Sequence, residues 1–442
     1  MNELTRRAFS GAAATALSYS RILGANDRLR MGYIGLGNRG DQVHDAFLEY
    51  GDQQTVAVCD LRDDYLDFAI RKSRATPVKY SDYRKLLDDK NVDAVAIATP
   101  DQWHALMFCD ACRAGKDVYV EKPLSLTISE GRKMIQVASE TKRVTQVGIH
   151  RRSVPSLMEA AKFIREGGIG HVTVAKGYHV QNEWPNGIGM PPDGPPPSPE
   201  VWDKWLGPAP KVPYNRNRMF YNFRWFYDYS GGQITNFGVH YMDFIRMALG
   251  KEAPKSVVAM GGRFAVKDNR EIPDTCEVLW DFGDTLAIFV QYNANGAPTN
   301  ARNSELEFRG TKGTMYLQSG KWEVVPEKTT EVLFGQRTPL DRITEKSYGP
   351  SKKPAMEPKI STGNGSSETT WHARNFIDCV KSRQKCNCDI VEGHLSTSAT
   401  IIGHISLRTR SLLDWDAQNE KFTNNAAANK YLSYKYREPY KL

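Results

Sequence analysis

Three glycines in the run Gly35-Leu36-Gly37-Asn38-Arg39-Gly40 have the spacing G-x-G-x-x-G and directly follow a short apolar segment, Met31–Ile34. Glycine at these places permits a tight strand-to-helix turn, a close approach of the main chain to a pyrophosphate, and close packing of the helix on the strand. The amides at the start of the helix would face the anion. The pattern predicts a dinucleotide-binding unit; the alternative is an ordinary glycine turn in another α/β domain.

A carboxylate follows at the distance that such a unit requires. A second apolar segment, Thr55–Cys59, ends on Asp60, about twenty residues beyond the last glycine, where an acid binds the adenosine ribose. About 4 Å from a 2′-phosphate, this charge would cost about 1 kcal/mol at the dielectric constant of water and about 4 kcal/mol at an effective value of about 20. NAD is therefore expected in preference to NADP, and Arg62 would soften that preference only if its side chain turned inward.

Two further polar runs follow later strands of the same region. One is Thr99-Pro100-Asp101-Gln102-Trp103-His104, and the other is Glu121-Lys122-Pro123. In open α/β sheets, ligands bind at the carboxyl ends of parallel strands, where both runs are expected. The proline favours an extended conformation for Lys122, which would direct its ammonium into the crevice. Taken alone, Glu121-Lys122-Pro123 is more typical of an exposed turn.

The first part of the chain has the pattern of a doubly wound parallel sheet. At 442 residues the chain is too long for one ordinary core, so two domains are expected. Short apolar runs alternate with helical patterns across residues 26–149, as parallel strands with covering helices do. Strands are predicted at Met31–Ile34, Thr55–Cys59, Ala94–Ala98, Asp117–Val120 and Val144–Val147, and helices at Gln42–Tyr50, Asp63–Arg74, Tyr83–Leu87, Trp103–Ala114 and Ser129–Thr141.

The second domain, residues 150–442, has an α+β pattern. Its proline-rich stretch, Pro185–Pro199, cannot lie in a sheet and is either a connector or part of an active-site rim. Spaced apolar segments with turn residues between them predict one large, open, mainly antiparallel sheet, and residues 327–370 a long surface excursion. The predicted strands are His171–His179, Ser256–Met260, Cys276–Trp280, Leu286–Tyr292, Glu305–Phe308, Thr314–Leu317 and Trp322–Val325, and the helices Val154–Glu166, Ile234–Leu249, Trp371–Ser382 and Gly393–Leu413.

The amino terminus resembles an export signal. Thr5-Arg6-Arg7-Ala8-Phe9-Ser10 precedes a weakly apolar run of small residues, Gly11–Leu17. Residues 1–25 are therefore interpreted as a twin-arginine signal, which would place the protein in the periplasm or elsewhere outside the cytoplasm. The alternative is an amphipathic or frayed terminus on a cytoplasmic protein. No apolar run reaches the length of about eighteen residues that a membrane helix needs, so no stable membrane span is expected.

Charge and cysteine usage exclude other classes of protein. The net charge of +8 is spread along the chain, which favours a mildly basic surface over a nucleic-acid interface. The seven cysteines form neither a disulfide framework nor a metal-binding pattern, so buried free thiols and no metal site are expected. Cys386 and Cys388 are interpreted as an incidental or occasionally bridged pair.

The order of these motifs resembles that of the glucose-fructose oxidoreductase and inositol dehydrogenase (Gfo/Idh/MocA) family. The glycine run, Asp60, the two polar runs and Gln146-Val147-Gly148 are followed by Gly231-Gly232-x-x-x-Asn236-x-Gly238-x-His240-x-x-Asp243. The resemblance extends over nearly the whole chain. It is greatest for the twin-arginine-exported branch, because of Trp205–Pro210, Arg374-Asn375-Phe376 and Trp415-Asp416.

The resemblance implies a role for each matching residue. Lys122 would lie at the reacting carbon, His240 would be the acid/base, and Asn236 and His240 would contact a carbohydrate substrate. Pairing into a homo-oligomer through the open face of the second-domain sheet is also implied. The residues expected to hold NAD are Gly35, Leu36, Gly37, Asn38 and Arg39 at the pyrophosphate, Asp60 at the ribose, and Thr99, Pro100, Trp103, His104, Glu121 and Lys122 along the cleft.

These roles are chemically reasonable for alcohol oxidation. A histidine with a pKa near about 6.5 can take the hydroxyl proton, and an ammonium stabilises the charge that develops on the oxygen. His240 taken alone is equally a core histidine. Many relatives have Asp where this chain has Asn236, and an amide carries no charge and accepts no proton. A standard Lys-Asp-His site is therefore in doubt, and the change points to an altered reaction.

The leading hypothesis is a nicotinamide-dependent oxidoreductase acting on a sugar or sugar derivative. Export with a retained cofactor favours a redox-neutral reaction through a transient keto sugar, such as elimination, epimerisation, glycoside cleavage or transfer. One alternative is an ordinary NAD-dependent sugar or polyol dehydrogenase with an exchangeable cofactor. Another is a non-catalytic protein that binds sugar or cofactor.

Overall fold

The amino-terminal domain is a six-stranded parallel sheet with helices between its strands. The computed structural model describes residues 28–329, 353–361, 363 and 368–442, so the predicted export signal lies outside the described residues. The strands run in the order β3-β2-β1-β4-β5-β6. They are β1 (Leu29–Ile34), β2 (Gln53–Cys59), β3 (Val78–Tyr80), β4 (Ala94–Ile97), β5 (Asp117–Val120) and β6 (Thr145–Val147), and the helices are α1 (Asn38–Leu48), α2 (Asp63–Ser73), α3 (Tyr83–Asp88), α4 (Asp101–Arg113) and α5 (Ile128–Thr141).

The predicted doubly wound sheet is confirmed, with one strand that the sequence did not indicate. β4 and β5 are buried at every position, which is why they were recognisable as apolar runs. β3 lies at the edge beside β2, and Val78 and Lys79 are exposed there. An edge strand without a buried face has no apolar pattern to detect.

The carboxy-terminal domain contains a ten-stranded sheet in the order β16-β13-β12-β11-β7-β10-β9-β8-β17-β18. Only β7 and β10 pair in parallel among its described strands, so the predicted mainly antiparallel sheet is confirmed. The strands are β7 (Val172–Val180), β8 (Ser256–Gly262), β9 (Thr275–Asp281), β10 (Leu286–Tyr292), β11 (Leu306–Gly310), β12 (Gly313–Gln318), β13 (Lys321–Pro326), β16 (Lys359–Ser361), β17 (Leu413–Asp416) and β18 (Lys421–Phe422); β14 (Lys328–Thr329) and β15 (Lys353–Pro354) form a separate pair.

Four helices cover one face of this sheet: α6 (Pro155–Arg165), α8 (Gly232–Asn236), α9 (Gly238–Leu249) and α11 (Ile390–Thr409). Of the other two, α7 (Pro199–Leu206) packs in a separate aromatic cluster, and α10 (Glu368–Ser382) packs on the amino-terminal domain. Along β9, Val278 and Trp280 point inward, and the indole of Trp280 donates to the Ala399 carbonyl of α11 at 2.8 Å. On the other face, Val258 is 37% and Met260 is 81% exposed. The sheet therefore has one buried face and one open face.

Two predicted helices have different limits in the structure. The helix expected at Ile234–Leu249 is divided into α8 and α9 by Phe237, so Asn236 ends one helix and His240 lies in the first turn of the next. The helix expected to reach Leu413 ends at Thr409, because Arg410 adopts a left-handed conformation with φ of 51°. Leu413 begins β17 instead.

The predicted surface excursion at residues 327–370 is only partly described. Its described parts include β14, β15 and β16, and β16 pairs with β13 to become an edge strand of the large sheet. The proline-rich stretch is held by side chains from a later segment: the Asn215 amide donates to the Pro191 carbonyl and the Asn217 amide to the Ile188 carbonyl.

The end of the chain returns to the amino-terminal domain. Tyr440 packs edge-on against Trp103 of α4 with 5.4 Å between ring centroids, and Arg437 fixes this segment to α7 through an ion pair with Asp203 at 2.6 Å. In the described part of the chain, the seven cysteines are free and buried, no cluster of His, Cys, Asp and Glu suits a metal ion, and no helix is long and apolar enough to cross a bilayer.

Candidate functional site

The glycine turn has one open side, and its three glycines serve different purposes. Gly35 has φ of +84°, and a Cβ on it would lie 2.8 Å from the Ala98 carbonyl carbon. A Cβ on Gly40 would lie 1.9 Å from the Gly35 oxygen. Gly37 has an ordinary φ of −66°, and the nearest atom to its Cβ would be in Tyr65 at 3.7 Å. Gly35 and Gly40 therefore serve the packing of the turn, whereas Gly37 leaves room for a ligand.

A cavity of about 510 Å³ extends from this turn to the carboxy-terminal domain. The amino terminus of α1 faces it without a side-chain cap, so unpaired backbone amides are available to an anion. Of the residues predicted to hold the cofactor, the lining includes Gly35, Gly37, Asn38, Arg39, Asp60, Thr99, Pro100, Trp103, Glu121 and Lys122. The structure thus brings nearly all of the predicted residues to one cavity, whose glycine cradle and amide-rich end fit a dinucleotide.

Leu36 and His104 do not line this cavity. The Leu36 side chain is buried in the core, and its backbone amide donates to Asp60 at 2.7 Å. The His104 ring lies between two carbonyl oxygens, those of Pro123 at 2.7 Å and Thr99 at 2.8 Å. These residues position the walls of the cleft, because Leu36 orients Asp60 and His104 joins the loops after β4 and β5.

Asp60 is held by backbone amides. Its two carboxylate oxygens accept from the amides of Leu36 at 2.7 Å and Arg62 at 3.0 Å. Burial raises the pKa of Asp60, and these hydrogen bonds offset part of that rise. Arg62 also lines the cavity, where it lies 4.3 Å from the Tyr65 ring and pairs with Asp64. Asp64 compensates much of the positive charge of Arg62 that a 2′-phosphate would need, which is consistent with NAD.

Arg39 has a role that its sequence position did not indicate. Its side chain contacts Glu121, with Nε and Oε1 separated by 2.8 Å, and its place at the pyrophosphate stays a prediction. Burial favours the neutral acid, but the charges of Arg39 and Lys122 outweigh it and lower the pKa of Glu121. A buried carboxylate is thereby kept ionised in the cleft, next to Lys122.

His150 and Glu368 extend this ion pair and were not found from the sequence. Arg39 Nη2 lies 3.2 Å from His150 Nδ1, and His150 Nε2 lies 2.8 Å from Glu368. Because arginine only donates and an ionised carboxylate only accepts, the neutral ring must be protonated on Nε2. Burial lowers the pKa of His150 and so favours this neutral form. Neither residue belongs to a recognisable motif; only the fold brings them together.

Lys122 contacts the carboxy-terminal domain through Asn236. Its ammonium donates to the Asn236 side-chain oxygen at 2.5 Å and to the backbone carbonyl of the same residue at 3.1 Å. The Asn236 amide nitrogen in turn donates to Gln233 at 2.8 Å, which fixes the orientation of the amide. Burial lowers the pKa of Lys122 to about 8 despite the opposing charge of Glu121. An amide partner thus leaves this ammonium without a counter-charge in direct contact.

His240 lies beside this contact but does not line the cavity. Its ring is 4.7 Å from that of His150, and its Nδ1 is buried without a hydrogen-bond partner. Burial, followed by the positive charges around it, lowers the pKa of His240 well below its usual range. A neutral imidazole can accept a proton, which the predicted role of His240 as the base requires. That role stays a prediction. Asp243, the last residue of the same motif, is structural: it binds Arg152 at 2.8 Å.

Family comparison agrees with this geometry. Residues 29–149 match the oxidoreductase family with an NAD-binding Rossmann fold (GFO_IDH_MocA), and residues 161–316 and 350–442 match the C-terminal α/β domain of that family. The chain belongs to the Gfo/Idh/MocA oxidoreductases. NAD is therefore its cofactor, and the cavity beside Gly37 is where the family's Rossmann fold would hold it.

Curated relatives match one part of the chain. The glycosyl hydrolase family 109 protein 1 of Shewanella sp. (strain ANA-3) is 33% identical over 123 residues, which are 26% of this chain and 27% of that protein. The alpha-N-acetylgalactosaminidase of Shewanella oneidensis is 34% identical with the same coverage. The matched segment spans about a quarter of the length of these curated relatives.

Solved structures share the fold over most of the chain. Levoglucosan dehydrogenase in complex with NADH and levoglucosan has a TM-score of 0.63 at 18% identity, covering 88% of this chain and 99% of that one. The scyllo-inositol dehydrogenase of Lactobacillus casei with NAD(H) and scyllo-inositol has a TM-score of 0.60 at 19% identity, with the same coverage. At these identities the likeness shows a common two-domain fold.

The different purposes of the glycines can be tested by substitution. We expect Gly37→Ala to weaken NAD binding by tenfold or more, on the order of a lost anion contact, with little change in melting temperature. Gly40→Ala should lower the melting temperature, because its Cβ collides with backbone. Calorimetric NAD titration and thermal unfolding of both variants give the two readouts, and equal losses of stability would contradict the distinction.

The pKa of Lys122 predicts the alkaline limit of activity. If its ammonium stabilises charge on the substrate oxygen, kcat/KM should fall as the pH rises through about 8, where the amine loses its proton. Lys122→Arg retains the charge at every working pH, so its lower activity should show no such limit. The pH profiles of both proteins test this role, which a flat wild-type profile between about pH 7 and pH 9.5 would exclude.

Proposed function

We propose that this Gfo/Idh/MocA oxidoreductase acts on a CH–OH group of a sugar or sugar derivative. The observation that carries the proposal is the position of Lys122, whose ammonium lies at the end of the NAD cavity against Asn236 of the other domain. A substrate hydroxyl could replace Asn236 as its hydrogen-bond acceptor. The names of the relatives support a carbohydrate substrate.

Each residue of the site has a defined task in this reaction. The residues that line the cavity around Gly37 would hold NAD, which would supply a reversible hydride acceptor for the reacting carbon. The Lys122 ammonium donates a hydrogen bond to the substrate oxygen and stabilises its developing charge. The neutral His240 imidazole accepts the hydroxyl proton, through the ring nitrogen opposite its orphaned Nδ1 or after a small shift of the ring. The Arg39–Glu121 pair holds the loop that carries Lys122.

We also propose that turnover is redox-neutral and takes place outside the cytoplasm. The twin-arginine pattern in residues 1–25 and the resemblance to the family 109 proteins support this form of the reaction. A protein exported with NAD already bound could not exchange it, so an oxidised sugar would have to be reduced again before release. Transient oxidation to a keto sugar acidifies the neighbouring C–H bond, which permits elimination, epimerisation, glycoside cleavage or transfer.

A homo-oligomer formed through the open sheet face is a further part of the proposal. Val258 and Met260 on β8 and Ile360 on β16 are exposed on the large sheet. Apolar side chains on one open sheet face are typical of an association surface. Light scattering of the purified full chain would report the oligomeric state.

The state of the cofactor distinguishes the proposal from its alternatives. Protein purified under native conditions should release stoichiometric NAD on denaturation and accumulate no net NADH with its sugar substrate. An ordinary dehydrogenase would be purified without nucleotide and would form NADH steadily from added NAD. A non-catalytic binding protein would bind sugars without chemical change, which product analysis on a panel of free sugars and glycosides would reveal.

Substitution of the two predicted catalytic residues tests the mechanism. We expect Lys122→Ala and His240→Ala each to lower kcat by roughly a hundredfold or more, the size of an acid/base or electrostatic contribution. Lys90→Ala and His171→Ala, at exposed positions, are matched controls that should retain wild-type rates. Retention of bound NAD by the active-site variants separates catalysis from binding, and near-normal turnover would remove the residue concerned from the mechanism.

A further inference from the structure

The end of the cavity next to Lys122 contains a second cation without an acidic partner. Arg224 lies on the short helix Phe220–Trp225 and lines the same cavity. Its Nε is buried and has no hydrogen-bond partner, and none of its nitrogens forms a hydrogen bond or ion pair with another described residue. An arginine left in this state inside a cleft has unused donors.

Aromatic packing orients the unused donors of Arg224. Its guanidinium carbon lies 3.7 Å from the centre of the Tyr221 ring and 5.9 Å from that of Phe223. Such stacking occupies the face of the planar group and leaves its N–H edge for a planar acceptor. That edge matches two oxygens of one carboxylate or sulfate, to which it can donate two parallel hydrogen bonds.

The acidic groups in this part of the cavity do not neutralise the two cations. Glu121 is paired with Arg39, and Asp101 accepts from the Ser230 hydroxyl at 2.7 Å without an ion pair to Arg224 or Lys122. Burial raises the pKa of Asp101, which favours the neutral, protonated form of its carboxyl group. Asn236 contributes no charge where it binds Lys122. Burial, followed by the positive charges of Arg224 and Lys122, lowers the pKa of His179 to about 4.

We propose that Arg224 binds an anionic group of the substrate, so that the preferred substrates are acidic sugars carrying a carboxylate or a sulfate ester. This inference rests on the proposed function and specifies its substrate class. Arg224 would hold the acid group while Lys122 contacts the hydroxyl that reacts. The neutral Asn236 then has a purpose, because a carboxylate at that position would repel an anionic substrate.

Binding to the NAD-loaded protein tests the proposal without requiring turnover. The ligands are glucuronate and galacturonate, the 6-sulfates of glucose and galactose, and the neutral parent sugars, each titrated by calorimetry. We expect at least one acidic ligand to bind about tenfold or more tightly than its neutral parent. Uronates and sulfate esters form separate arms, so the result also identifies which anion fits.

Variants of Arg224 connect the preference to this side chain. Arg224→Gln should weaken binding of the acidic ligand by roughly 30-fold and leave the neutral sugar nearly unchanged, whereas Arg224→Lys should retain part of the preference. Arg216→Gln, at an exposed position outside the cavity, is the matched control and should behave as wild type. Asn236→Asp should also reduce the preference and changes almost no volume, so it tests the same charge if Arg224→Gln does not fold.

The proposal is overturned if neutral parents bind as well as the acids, if no ligand binds, or if the preference persists in Arg224→Gln. Failure of the proposed function would be seen differently. It would appear as the absence of NAD from the purified protein or the absence of a rate effect in Lys122→Ala. A preference for acids lost in Arg224→Gln would support the anion site even then.

Discussion

The buried ion pair between Arg39 and Glu121 is the interaction on which the arrangement of the site depends. The Glu121 side chain is only 4% exposed, and a carboxylate so buried is tolerated only with a charged partner. Arg39 comes from the glycine turn, and Glu121 immediately precedes Lys122. The pair therefore joins the cofactor-binding turn to the residue proposed to contact substrate. His150 and Glu368 continue it into the second half of the chain.

At the cleft between the two domains, two cations have no acidic partner in direct contact among the described residues. Lys122 bonds to a neutral amide, and Arg224 to no acid in the described structure. Of the acidic groups nearby, Glu121 is paired with Arg39, and burial raises the pKa of Asp101. A partly buried cation without a counter-charge destabilises the folded protein unless a bound anion compensates its charge. The neutral amide at position 236 is therefore part of the basis for the proposed preference for anionic substrates.

Prediction from the sequence succeeded where a residue acts through its own type and local pattern. The fully buried strands β4 and β5, the glycine turn and Asp60 were all identified in place. It was incomplete where a neighbour distant in the chain decides the outcome. β3 has no buried face, and the break at Phe237 directs Asn236 and His240 to different partners. Both ring nitrogens of His104 lie within hydrogen-bond distance of backbone carbonyl oxygens. His150 and Glu368 have no local signal at all.

The amino-acid sequence by itself determined the fold class, the cofactor and most of the residues around the glycine turn, because backbone geometry at glycines and apolar periodicity are local properties. Only the tertiary structure decided the charge state of the cleft. Burial and the distances between groups far apart in the chain set whether Glu121 is paired, whether His240 is neutral, and whether Arg224 has a partner. Those quantities depend on which side chains share a low-dielectric space, and residue order alone does not specify that.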